Sequence, residues 1–134
     1  MKRSIELNGV NALCVTKLDV LDGLSTLKIC TRYAIEPAAG ELGAGTGKGG
    51  VPRTTDRLPS GSAAVERCRA EFEELPGWKG STRGVKRIDD LPTEARRYLA
   101  RLEELAGVPI DIVSTGPDRE ETIVLRHPFR RNAS

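Results

Sequence analysis

Apolar residues come in short bursts separated by polar turns. Val10, Ala12, Leu13, Cys14 and Val15 form one such run, which closes on the polar turn Thr16-Lys17-Leu18-Asp19. A run this short and this rich in β-formers predicts a strand buried on both faces. After the turn pair Asp22-Gly23, the segment Leu27-Lys28-Ile29-Cys30-Thr31-Arg32-Tyr33 alternates as a half-buried strand does. Val65, Cys68, Phe72 and Leu75 then recur at three- and four-residue steps until Pro76-Gly77, the period of an amphipathic helix. Its charged residues, Glu66, Arg67, Arg69, Glu71, Glu73 and Glu74, are expected to face water.

The clearest helical stripe is Ala95, Tyr98, Leu99, Leu102 and Leu105, from about Pro92 to Leu105, with Asp90 or Thr93 as the expected cap and Gly107 as terminator. Val108 to Val113 follows as a short apolar strand ending in Ser114-Thr115-Gly116-Pro117, and Thr122 to Leu125 forms a last strand before His127-Pro128. Helix followed by strand is the unit of a parallel sheet. The predicted class is therefore α/β, a partial mixed sheet with helices.

Between these patterns, residues 36–59 turn abruptly to Gly, Ala, Pro and Thr with almost no large apolar side chain, as expected of a flexible insertion. The chain divides into residues 1–35, with two strands and the Thr16–Asp19 turn; the insertion; and residues 60–134, with two helices, two strands and the Ser114–Pro117 turn. A length of 134 residues fits one domain overall.

Composition removes several classes of function. Twenty-one Lys and Arg against 19 Asp and Glu leave a net charge of only +2, too little to draw the chain to nucleic acid or anionic membranes. Cys14, Cys30 and Cys68 have no CxxC spacing and no paired histidine, against a disulfide framework or zinc site. No apolar window approaches a membrane span or a signal peptide, so a cytoplasmic location is expected.

The chemistry concentrates at two strand ends, because open α/β sheets bind ligands at the carboxyl ends of their strands. A carboxylate placed like Asp19 accepts two hydrogen bonds from the N1–H and exocyclic amine of guanine, which adenine does not offer. The apolar stem of Lys17 suits a purine face while its ammonium stays wet. Backbone N–H groups around Ser114, Thr115 and Gly116 are candidate donors to guanine O6, with Gly116 allowing close approach and Pro117 packing on the ring.

The stretches VTKLDVLDG, KIC, EELPGWK, LP, ARRYL and RLEELAGVPIDIVSTGPDREETIVLRHPF, in that order from Val15 to Phe129, closely resemble the C-terminal region of adenylosuccinate synthetase. That resemblance implies the C-terminal portion of a P-loop NTPase-like fold. It also implies a GTP-dependent carbon–nitrogen ligase of purine (AMP) biosynthesis, which joins IMP to L-aspartate with magnesium managing the phosphates. The family's guanine contacts would fall on Lys17, Leu18, Asp19, Ser114, Thr115, Gly116 and Pro117. Its phosphate loop, catalytic Asp and His, and IMP and aspartate contacts would lie upstream of Met1, so no catalytic or metal-binding residue is assigned here.

Several motifs invite stronger readings than they carry. Gly43 to Gly50 mimics a phosphate loop, yet Leu42 and Gly49 stand where Gly and Ser or Thr are needed, and Gly45-x-Gly47-x-x-Gly50 has no helix start after it. His127, the single histidine, reads as a strand-end surface residue. Asp118, Arg119, Glu120 and Glu121 read as a solvated turn with ion pairs of small value.

Three readings remain open on the sequence. The chain is the guanine-binding portion of such a synthetase, inactive alone and completed by a homodimer or a companion polypeptide. Alternatively it is a stand-alone nucleotide-binding or interaction module, or a remnant with no activity.

Overall fold

The computed structural model describes residues 1–36 and 53–127. They divide into two compact units, one of Met1–Leu27 with the chain from Glu74 onward, the other of Lys28–Glu73.

In the first unit, helix α1 (Lys2–Asn8) ends on Gly9 at φ 60° and leads to strand β1 (Leu13–Val15). A 3-10 turn follows at Leu18–Leu21. A second 3-10 turn at Ile88–Asp90 precedes helix α3 (Thr93–Ala106), which feeds strand β5 (Ile110–Ser114) and then β6 (Thr122–Val124). The strand order is β1-β5-β6, with β1 parallel to β5 and β6 antiparallel to it. The mixed sheet expected of the sequence is present, and its parallel pair comes from the helix-then-strand unit.

The core follows the amphipathic stripe of α3. Ala95, Leu99 and Ala106 are buried, and Leu99 packs with Leu18, Trp78, Ile110, Val113 and Ile123 in one cluster. Burying a side chain such as Leu18, 1% exposed, contributes about 2 kcal/mol. Gly107 at φ 72° caps the helix, its N–H donating to the Glu103 carbonyl at 2.8 Å. The N-terminus departs from expectation: Pro92 holds the cap position, its carbonyl accepting from the Arg96 N–H, and its ring has no polar atom with which to make a side-chain cap bond. β1 is also shorter than its apolar run and not buried on both faces; among the described residues it has the single neighbour β5, and Cys14 is exposed.

The second unit carries most of strand β2 (Thr26–Ile35), β3 (Arg53–Thr55), helix α2 (Ser62–Glu66) and most of β4 (Cys68–Pro76), in sheet order β3-β2-β4. β2 alternates as expected at its start, with Leu27 and Ile29 buried and Lys28 exposed. β3 pairs antiparallel with it, Tyr33 opposite Thr55.

The amphipathic helix expected over Val65 to Leu75 is a correction. Only Ser62–Glu66 is helical and Cys68–Pro76 is a strand. The stripe that defined the helix is not buried, with Val65 42% and Phe72 57% exposed, so it drives no helical packing; pairing beside β2 decides instead. The insertion's central part, with the Gly43–Gly50 motif, lies outside the described residues, and its C-terminal part contains β3.

Candidate functional site

β1 and β5 run parallel with Val15 opposite Val113, so the turns that leave them, beginning at Thr16 and at Thr115, emerge side by side at the carboxyl end of the pair. The first turn is shaped by Lys17, whose φ 57° and ψ 49° make it the one described non-glycine residue in the left-handed region. Such a conformation costs on the order of 1 kcal/mol and persists only where the surroundings impose it. Here the neighbour is Leu18, buried in the core, at which the 3-10 turn begins. Successive side chains of such a turn diverge by about 120°, which separates Asp19 and Val20 from the buried Leu18.

An open cleft of about 270 Å³ is lined by Lys17, Asp19, Val20, Arg83 and Pro117. Three residues singled out from the two strand ends therefore meet on one surface. Asp19 is half-buried, and its Oδ1 has no hydrogen-bond partner among the described residues. An unmatched buried acceptor costs about 1 to 3 kcal/mol, a cost that a donor from water or from a ligand relieves.

The remaining candidates do not line the cleft. Leu18 is core. The Ser114 hydroxyl donates to the Gly116 carbonyl at 2.9 Å. Thr115, fully buried, donates its N–H to the Glu121 carbonyl at 2.9 Å and its hydroxyl to the carbonyls of Val85 at 2.9 Å and Glu121 at 3.2 Å. Its N–H is thus committed within the fold. A Cβ on Gly116 would collide with the Glu121 carboxylate, and that carboxylate also accepts from the Asp118 N–H at 3.0 Å. The Asp118–Glu121 segment is accordingly more than a solvated turn: Glu121, its side chain 18% exposed, braces the loop that carries Pro117.

Two further residues without a sequence signal shape the site: Arg83 lines the cleft, and Asp22 braces it from outside. Asp22 accepts from Trp78 Nε1 and Thr82 Oγ1 on one oxygen, each at 2.7 Å, and from the Thr82 N–H at 2.7 Å and Ser81 Oγ at 3.2 Å on the other. Burial opposes its ionisation, but these donors outweigh that and hold its carboxyl below the ordinary value of 3.8. Asp22 therefore ties the turn bearing Lys17 and Asp19 to the segment bearing Arg83. Its partners lie about sixty residues away in sequence, which is why Asp22-Gly23 reads only as a turn. Arg83 sits in a polar stretch with no periodicity to mark it.

A parallel strand pair with a cleft at its carboxyl end is the arrangement in which open α/β sheets hold their ligands. Comparison with known proteins is consistent with that class and narrower. The family model for adenylosuccinate synthetase matches residues 1–123, and the chain belongs to that family. Over 129 residues it is 54% identical to adenylosuccinate synthetase 2 of Chromobacterium violaceum, covering 96% of this chain and 26% of that relative. It is 56% identical to the chloroplastic adenylosuccinate synthetase 1 of Ricinus communis over the same shares. The solved structure of the fully ligated Plasmodium falciparum enzyme matches with a TM-score of 0.73 at 26% identity, over 89% of this chain and 26% of that one. The chain thus spans about a quarter of the length of these relatives.

Proposed function

We propose that the cleft reads the guanine base of GTP as part of an adenylosuccinate synthetase, the ligase that joins IMP to L-aspartate. The carrying observation is the Asp19 carboxylate, which lines the cleft and whose Oδ1 has no partner among the described residues: guanine's N1–H and 2-amino group supply two donors to one carboxylate, whereas adenine presents an acceptor at N1. The apolar stem of Lys17 and the ring of Pro117 suit the two faces of a purine, and the Gly116 N–H, which meets no acceptor among the described residues, remains a candidate partner for O6.

On this reading the chain binds and orients the base, and phosphoryl transfer needs groups supplied by the rest of the enzyme. That chemistry is almost wholly positioning and electrostatic stabilisation of phosphates. The family's magnesium is not placed on this cleft: no group of three or more His, Cys, Asp or Glu gathers to hold a metal among the described residues, and a single carboxylate does not make a magnesium site. No described helix is long and apolar enough to cross a membrane.

Calorimetric titration with GDP and with ADP as control tests the reading, and Asp19→Asn sharpens it. The amide turns an NH2 toward guanine's donors, so GDP affinity falls about tenfold or more and xanthosine diphosphate, with a carbonyl at C2, gains. Equal GDP binding by parent and variant would mean that Asp19 does not read the base. A folded chain that binds no nucleotide would instead favour an interaction module.

A further inference from the structure

Arg83 lines the same cleft as Asp19, and the fold holds it from two directions. Its chain neighbour Thr82 is fully buried and gives both its N–H and its hydroxyl to Asp22, three residues beyond Asp19. On the other side Glu121, itself fixed by the Asp118 N–H, places Oε1 4.0 Å from Arg83 Nε. One long contact leaves most of the five guanidinium donors uncommitted, and the side chain stays 63% exposed.

A purine whose N1–H and 2-amino group meet Asp19 carries O6 and N7 on the adjoining edge, and both are acceptors. The Thr115 N–H is committed to the Glu121 carbonyl, and the Gly116 N–H is a single donor, which at most serves O6 and leaves N7 unmatched. Lys17 brings a point charge on a flexible stem. Arg83 brings a planar fork, the geometry that matches O6 and N7 together. We propose that Arg83 is a specificity residue that donates to the O6/N7 edge of the bound base. The cleft then selects 6-oxopurines with an acceptor at Asp19 and a donor fork at Arg83. This rests on the guanine reading of the cleft.

The test titrates the chain, Arg83→Met and Arg83→Lys with GDP, 7-deaza-GDP and ADP. The parent should bind GDP more tightly than 7-deaza-GDP, which lacks the N7 acceptor. Arg83→Met keeps the apolar stem; it should lose about tenfold toward GDP, leave ADP unchanged and close the gap between GDP and its 7-deaza analogue. Arg83→Lys, which keeps the charge and a donor but loses the planar fork, should narrow that gap without closing it.

Unaltered GDP affinity in Arg83→Met, in a parent that prefers GDP to ADP, overturns the role of Arg83 and leaves Asp19 standing. Equal losses toward GDP and ADP overturn it too, since Arg83 would then be attracting phosphates. A parent that binds GDP no better than ADP sinks the base reading beneath both.

Discussion

Asp22 accepts from two nearly inaccessible residues, Trp78 at 2% and Thr82 at 0% exposure, so its removal leaves donors that water reaches poorly. Asp22→Asn puts an amide NH2 where one carboxylate oxygen accepted, and an unmatched buried donor costs about 2 kcal/mol. The ionisation adds a pH dependence. Because the folded-state pKa lies below the ordinary 3.8, the carboxylate's contribution is fully present above the unfolded-state value and is lost as pH falls through the lower folded-state one. Denaturant unfolding from pH 6 down to pH 2.5 should show the parent losing its advantage over Asp22→Asn toward the acid end. A constant difference between them across that range would mean that the charge plays no part.

Elements differ in how much of their cause is local. α3 and its glycine stop were legible because stripe, length and cap all lie within fifteen residues, and β5 was legible as the strand that follows a helix. The strand ends bearing Lys17, Asp19 and Pro117 were legible for a similar reason: sheet topology places such turns together. β4 was not, because Cys68, Phe72 and Leu75 carry a helical period and what makes them a strand is β2, some forty residues earlier. The bracing by Asp22 was hidden in the same way, its partners lying about sixty residues on, and Arg83 had no periodicity to mark it.

Gly77 shows a non-local constraint that a single atom tests. Its N–H donates to the Ser25 carbonyl at 3.0 Å, and a Cβ there would run into the Leu24 backbone carbonyl, which has no rotamer by which to yield. Gly77→Ala should therefore cost about 3 kcal/mol, the upper end of overpacking penalties, whereas Gly107→Ala, with open space for its Cβ but φ at 72°, should cost about 1 kcal/mol. Thermal unfolding that ranks Gly107→Ala as the more damaging would contradict the packing at Leu24.

At the scale of the molecule, the cleft belongs entirely to the unit formed by Met1–Leu27 and the chain from Glu74 onward, so ligand binding and folding are linked there. A ligand that binds only the folded state adds RT ln(1 + [L]/Kd), about 1.4 kcal/mol at ten times Kd. For a chain of this size that is a rise in Tm of about 5 °C. GDP should produce the rise and ADP at the same concentration should not. Hydrogen exchange then locates it: slowed amides should fall around Lys17–Val20 and Thr115–Pro117 and spread through β1, β5 and α3, whose opening must break the cleft. β3 and β4, in or largely in the other unit, should exchange at unaltered rates unless the two units open together. Protection centred on Lys28–Glu73 would place the nucleotide away from Asp19, because no element of that unit lines the cleft that Asp19, Arg83 and Pro117 share.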